Sequence, residues 1–369
     1  MQMFTCPEVV TEVHGHVGCL TLVRPAALNA LSLPMIRALT AILRAWRKEP
    51  AVAAVAVRGS GKTGPFGAFC AGGDIRFFHE AALAGSEELD AFFTEEYTLN
   101  HLIHTYPKPY IAFMDGIVMG GGMGISQGAQ TRIVTERTKM AMPETNIGLF
   151  PDVGGGYFLS RCPGRVGEWL ALTGEVIGAG DALEFGLADI CFDVARLPSA
   201  WSALATIDFS RPGAVDQWLD MFSIPAPGAP NAPTDLMDRY FSLNSVSDIV
   251  HALEADRNAW AQHTAATLRR RSPLMLHVVL EQVRRAREMT LADNLRMERN
   301  LVHHCFHPGH LGRSTSQSET VEGIRALAVD KDHTPHWNPA SIEAVTHDMV
   351  APFFSNPWPL RKHPLRELD

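Results

Sequence analysis

Apolar residues run along the first half of the chain in two rhythms. Cys19-Leu20-Thr21-Leu22-Val23 alternates, and the pattern predicts paired strands over Val9–His14 and Val17–Val23, broken at Gly15 and ended by Arg24-Pro25. Ser32 is a candidate N-cap for a helix running to about Lys48. Ala51–Val57 and Tyr110–Asp115 are instead continuous small or apolar runs, the pattern of strands buried on both faces. The first run enters the glycine-rich loop Gly59–Gly67 and then Ala68–Ile75, with a helix opening near Asp74. The second enters Gly116–Gly124, followed by a helix of small residues. Between them Glu87–His104 reads as a helix carrying the acidic pair Glu95-Glu96, and Arg132–Thr135 as a short strand. Strand, glycine loop and helix thus recur twice, which predicts an α/β unit with parallel strands.

Beyond Tyr157 the periodicity turns helical, over Arg165–Leu172 and Ala179–Phe185, with an exit strand at Ile190–Val194. The prolines at 225, 227, 230 and 233 make Ile224–Thr234 a linker or long loop. Helices are then expected over Asp235–Phe241, Val246–Ala255, Ala259–Arg270 and Pro273–Met289. From Asn300 the chain is rich in histidine, and from Pro352 rich in proline, which suggests a tail laid along the surface.

Composition narrows the class. With 369 residues, 46% of them hydrophobic, the chain can bury a large core. A formal charge of −8 argues against a general nucleic-acid binder. The six cysteines are scattered without a Cys-x-x-Cys pair, as expected of reduced thiols in an intracellular compartment. The opening Met-Gln-Met-Phe-Thr-Cys-Pro-Glu lacks the basic and apolar regions of a signal peptide, and no membrane span is visible. The expectation is a soluble cytoplasmic protein.

The candidate chemistry lies in Pro143–Tyr157, where Glu144 and Asp152 are the only carboxylates in an apolar, glycine-rich run. Pro143 and Pro151 bend and stiffen the chain beside them. A carboxylate in such surroundings is poorly solvated, which raises the basicity of an acid/base group. Gly154, Gly155 and Gly156 let the backbone approach a ligand. A buried turn whose acids cap backbone amides explains the stretch equally well.

Taken together, Ala68–Asp74, Gly116–Gly124 and Met142–Gly156 resemble, in order and spacing, the hallmark segments of the enoyl-CoA hydratase/isomerase (crotonase) superfamily. Arg24–Leu31 resembles its first CoA-lining loop. The run from Glu144 to Tyr157 and the C-terminal stretch from Glu322 through Arg325 and Trp337 to Pro339 look like its 3-hydroxyisobutyryl-CoA hydrolase branch. The resemblance covers about residues 9–340. It implies a crotonase-like fold of stacked ββα units over 1–200 and a helical region, 201–369, completing an acyl-CoA site.

The resemblance also implies roles. Two backbone N–H donors, on Gly73 and Gly121, would stabilise the oxyanion of a thioester under attack. Glu144 would be nucleophile or general base, and Asp152 would bind the substrate 3-hydroxyl and orient Glu144. Glu96 would line the acyl pocket, with Ala27, Leu28, Ala71 and Gly120 on the substrate path. Hydratases of this superfamily carry a second glutamate at the position of Gly124, so hydration is disfavoured here. The implied reaction is hydrolysis of a short 3-hydroxyacyl-CoA in valine breakdown, with no metal or redox cofactor and no nucleic-acid or membrane partner. A homo-oligomer is compatible with it. Two alternatives are an enoyl-CoA hydratase/isomerase and a non-catalytic assembly component of the same fold.

Other signals are weaker. His303-His304-Cys305-Phe306-His307-Pro308-Gly309-His310 lacks metal-site spacing and reads as a packed or surface cluster. Gly116–Gly124 followed by Glu136 imitates a dinucleotide loop with imperfect spacing. Arg24, Lys62, Lys108 and Arg132 can reach CoA phosphates, but the family's frequent lysine near position 26 is Ala26 here.

Overall fold

A computed structural model describes residues 6–209, 211–227 and 232–369. The first five residues lie outside it, as does 228–231 within the proline-rich stretch. Two compact units are each drawn from separated parts of the chain: residues 1–73, 99–141 and 176–232 form one, and 74–98, 142–175 and 233–369 the other. Residue 200, where the sequence suggested a boundary, falls in the helix Leu197–Ala203 of the first unit.

The first unit is built on strands β1 (Val9–His14), β2 (Val17–Leu22), β3 (Ala54–Gly59), β4 (Tyr110–Met114), β5 (Ile117–Met119), β6 (Thr131–Thr135), β7 (Lys139–Ala141) and β8 (Ile190–Phe192). Six of them form one sheet in the order β1-β2-β3-β4-β6-β8. Only the β1–β2 hairpin is antiparallel; the other neighbours are parallel. β4 is buried at every position, as its unbroken apolar run requires. One face packs Phe113 against Trp201 and Trp218, with the Arg58 guanidinium 4.2 Å from the Trp201 ring.

The sequence expectation differs at two places here. β3 begins three residues later than the apolar run, because 49–53 is spent leaving the helix Leu33–Lys48. Gly116–Gly124 is not all loop, since β5 pairs in parallel with β7 to make a second, two-stranded sheet. Its hydrophobic stretches are only three residues long, too short for a period to register.

The second unit is helical, and most of its helices match expectation. Val246–Ala255, Ala259–Leu268 and Pro273–Ala286 are capped by the side chains of Ser245, Asn258 and Ser272. The longest of those not expected is Leu291–Phe306, a buried helix. Its signals are the Thr290 side chain accepting the Asp293 N–H, and apolar Leu291, Leu295 and Val302 along one stripe. Among the described residues no helix is long and apolar enough to cross a membrane.

Candidate active site

In the second unit Glu144 opens a 3-10 turn, Glu144–Ile147, closed by Gly148 in the left-handed region. The Gly148 and Leu149 N–H groups both bond the Glu144 carbonyl, and Thr320 Oγ1 donates to the Gly148 carbonyl at 2.6 Å. A Cβ on Gly148 would lie 2.2 Å from the Glu319 carbonyl oxygen, so this turn needs glycine. The fixed turn leaves Glu144 buried, with Oε2 unpartnered among the described residues.

Asp152 sits at the next bend. Tyr97 donates its hydroxyl to Asp152 Oδ2 at 2.9 Å, and the Gly155 N–H bonds the Asp152 carbonyl at 2.6 Å. Between them Val153 is held at φ 54°, a left-handed conformation that a β-branched residue resists. Glu298, on the missed helix, provides the restraint. Its carboxylate accepts the N–H of Gly154 at 2.7 Å and of Gly156 at 3.0 Å, with Asn294 Nδ2 at 2.7 Å and Gln282 Nε2 at 3.2 Å. Gln282 also donates to the Pro151 carbonyl at 2.7 Å. The strained bend is therefore tied down on both sides of Asp152.

The third carboxylate, Glu96, is only 2% exposed, and its Oε1 is unpartnered among the described residues. It is close enough to Asp152 and Glu144 for their charges to act on it. Burial first, then those two charges, push its pKa well above the carboxylate range. Burial raises Glu144 likewise, with Asp152 adding to it. Asp152 is lifted to about 7 by burial, against the pull of the Tyr97 hydrogen bond. Glu298 rises to about 8 for the same leading reason, opposed by the Gly154 N–H. Burial thus raises the pKa of all four acids and favours their protonated forms.

The glycine segments belong to the first unit. Gly121 opens the short helix Gly121–Gly124, so its N–H has no partner within that helix. Gly120 before it has φ 47° and ψ −119°, a conformation open mainly to glycine. A Cβ on Gly72 would lie 3.7 Å from the Gly121 nitrogen, which places the Gly72–Gly73 segment beside that amide. Leu31 bridges Gly73, and the Ala71 N–H bonds the Leu28 carbonyl at 3.0 Å. Ala27, Leu28, Ala71, Gly73, Gly120 and Gly121 are thus gathered within one unit. Glu96, Glu144 and Asp152 are gathered within the other.

Of the basic residues considered for phosphates, Arg132 is spent on Asp189 and Lys108 on the carbonyls of Trp46 and Glu49. Arg24 bonds Glu8 and the Ala30 carbonyl. Glu136 receives the Val194 N–H, a structural use that leaves the dinucleotide reading without its acid. His303 and His307 stack ring on ring at 4.3 Å, and His310 packs edge-on against Phe353. Among the described residues no group of three potential ligands could hold a metal ion. Sequence reasoning missed Tyr97 and Glu298, whose partners are 55 and 144 positions away along the chain.

The chain is similar to known proteins over most of its length. Residues 17–354 match the family model described as enoyl-CoA hydratase/isomerase. The zebrafish protein named 3-hydroxyisobutyryl-CoA hydrolase, mitochondrial, is 40% identical over 95% of this chain and 90% of its own length. A probable 3-hydroxyisobutyryl-CoA hydrolase of Arabidopsis thaliana is 37% identical over 94% and 91%. Among solved structures, a carnitinyl-CoA dehydratase from Mycobacterium thermoresistibile superposes with a TM-score of 0.86 at 37% identity, covering 95% of this chain and 97% of that one. An enoyl-CoA hydratase from Rhodobacter sphaeroides gives 0.82 at 36%, covering 94% and 97%. The chain belongs to the enoyl-CoA hydratase/isomerase family and has its crotonase fold.

Proposed function

We propose that the chain hydrolyses the thioester of a short 3-hydroxyacyl-CoA, with 3-hydroxyisobutyryl-CoA as substrate and 3-hydroxyisobutyrate and CoA as products. The observation that carries the reading is Glu144: buried, with one carboxylate oxygen unspent, beside Asp152 and Glu96. The relatives named as hydrolases of that thioester support the choice of substrate.

Two kinds of group are needed. The carbonyl oxygen gains negative charge as it is attacked, and the N–H groups of Gly73 and Gly121 are the assigned donors, each such donor being worth ~3–4 kcal/mol. Glu144 either attacks the carbonyl to give a mixed anhydride, which water then hydrolyses to release the acid and restore the carboxylate, or takes a proton from a water that attacks directly. Both routes break the C–S bond, and the leaving thiolate takes up a proton to give the free thiol. Asp152 receives the substrate 3-hydroxyl, with Tyr97 fixing its other donor contact. The acyl pocket includes Glu96, and the loop residues Ala27, Leu28, Ala71 and Gly120 carry the CoA arm. Water and carboxylates suffice for this chemistry, so no metal or redox cofactor enters the proposal.

A second reading has a specific observation behind it, since two of the similar solved structures are those of a carnitinyl-CoA dehydratase and an enoyl-CoA hydratase. Water addition across a double bond needs a pair of acid/base groups, and the family's second glutamate position is Gly124 here, buried in a four-residue helix. Thiol release from a panel of acyl-CoAs separates the readings. Release from 3-hydroxyacyl-CoA supports the hydrolase. Hydration of crotonyl-CoA without release supports the hydratase, and inertness toward all of them a non-catalytic member. Valine breakdown and a cytoplasmic location complete the proposal, and a homo-oligomer is compatible with it. The mitochondrial label in the vertebrate relatives' names makes cell fractionation the test of the location.

A further inference from the structure

The C-terminal stretch from Glu322 to Pro339 takes no part in the chemistry above, yet it is elaborately folded. Arg325 pairs with Glu322 at 2.8 Å, Asp330 at 2.6 Å and Asp332 at 2.7 Å. Lys331 and His333 are both left-handed, at φ 59° and 55°. The result is a knotted loop that delivers Trp337, whose Nε1–H bonds the Arg270 carbonyl at 3.2 Å.

Between this loop and the turn 269–271 lies a cavity of about 310 Å³, the size of a small-ligand site. Its polar lining comes from Arg269, Arg270, Arg271, Asn146 and His333, with Trp337 as its aromatic wall. No carboxylate is among the described residues that line it. The three arginines are not alike. Arg269 is matched by Glu254 and Glu343. Arg271 bonds only neutral acceptors, the Thr173 carbonyl and Asn146 Oδ1. Arg270 makes one long contact, 3.4 Å to Thr267 Oγ1. Among the described residues neither forms an ion pair. The field of Glu175 reaches Arg271, but that carboxylate faces His263 at 3.9 Å.

Two guanidinium groups without counter-ions on one concave wall call for about two negative charges. A carboxylate brings one; a phosphate monoester brings roughly 1.5–2 at neutral pH, with oxygens suited to guanidinium donors. The half-buried indole of Trp337 supplies a face on which a planar ring can stack. We propose that this cavity binds the phosphate monoester of a nucleotide, with Arg270 and Arg271 holding the dianion and Trp337 the base. A free nucleotide and the 3′-phosphoadenosine end of CoA present the same chemistry.

The test is calorimetric titration of the whole chain with 5′-AMP, adenosine, CoA and dephospho-CoA, for the native protein and for Arg270→Gln. Arg270 is exposed and weakly bonded, so the variant folds; a melting curve checks this. The expected result is AMP binding at least about tenfold tighter than adenosine, an advantage lost in the variant. If the variant also loses about tenfold for CoA but not for dephospho-CoA, the phosphate is that of CoA. If CoA is unaffected while AMP weakens, the ligand is a separate nucleotide. Equal affinity of AMP for both proteins, or no binding of any phosphate-bearing probe to either, overturns the proposal. Thiol release at saturating substrate, read on the same samples, keeps failure here distinct from failure of the hydrolase reading.

Discussion

Glu298→Gln puts the electrostatics of the site to a direct test. Two effects oppose each other at this carboxyl. Four N–H donors surround it, which favours the ionised form, while complete burial disfavours it. Burial prevails, lifting the pKa from 4.5 to about 8. Asn294 and Gln282, the two amides touching it, each hold a buried oxygen that has no partner among the described residues. The folded chain then holds a proton that the unfolded chain releases above pH ~4.5. The contribution of Glu298 to stability then falls as pH rises from there to about 8, by about 1.4 kcal/mol per pH unit, and levels off above. Glutamine mimics the neutral acid and does not titrate. The variant should match the native protein near pH 5 within ~1 kcal/mol and exceed it near pH 8.5 by up to ~4 kcal/mol. Melting temperatures at pH 5, 7 and 8.5 read this as a gap that opens in the variant's favour. A variant that is less stable by the same amount at every pH would mean that the donors keep Glu298 ionised throughout, and the argument from burial would fail.

Four further outcomes are expected. Glu144→Gln should lower thiol release by at least ~10²-fold in a protein that still melts cooperatively, and near-normal turnover would remove Glu144 from the chemistry. Asp152→Ala should shrink the preference for 3-hydroxyacyl-CoA over the acyl-CoA lacking that hydroxyl, a preference worth ~1–3 kcal/mol or more; an unchanged ratio rules out hydroxyl recognition by Asp152. Tyr97→Phe removes the donor that holds Asp152 down, so the Asp152 pKa should climb above about 7 and the acid limb of kcat/KM should move to higher pH. An unmoved limb assigns that limb to another group. Gly121→Val should abolish turnover with a modest fall in melting temperature, whereas Gly128→Val should do the reverse, since a Cβ there meets the His104 backbone nitrogen at 2.8 Å; activity retained in Gly121→Val would leave the cluster as a packing device.

The readable parts of this chain are those whose causes are local. β4 is legible because five successive buried residues leave no polar face, and Glu87–His104 because its boundaries and stripe lie within one window. The bend carrying Glu144 and Asp152 is legible for a similar reason. Pro143, Glu144, Pro151, Asp152 and three glycines fall within fourteen positions, and each restricts the backbone in a known way. Gly128 shows the limit of such reasoning. Sequence places it on a helix continuing from Gly121, but the helix stops at Gly124 and Gly128 lies in the turn beyond.

What sequence alone could not show is which buried acids keep an oxygen open and which are fully bonded. Both kinds look like an isolated glutamate on a helix, the description that fits Glu96 and Glu298 equally. The structure separates them by their unspent valence. Glu298 has both oxygens committed to N–H donors, two of them backbone amides of the strained bend, so it can hold Asp152 but has nothing left for a substrate. Glu144 and Glu96 each keep one buried oxygen without a partner among the described residues, and burying such an atom costs ~1–3 kcal/mol unless something arrives to meet it. An acid kept in that condition by a rigid turn is stabilised only when a substrate or a water completes it. On that criterion Glu144 and Glu96 are the acids left open to a ligand, and Glu298 is the one that fixes the bend carrying Asp152.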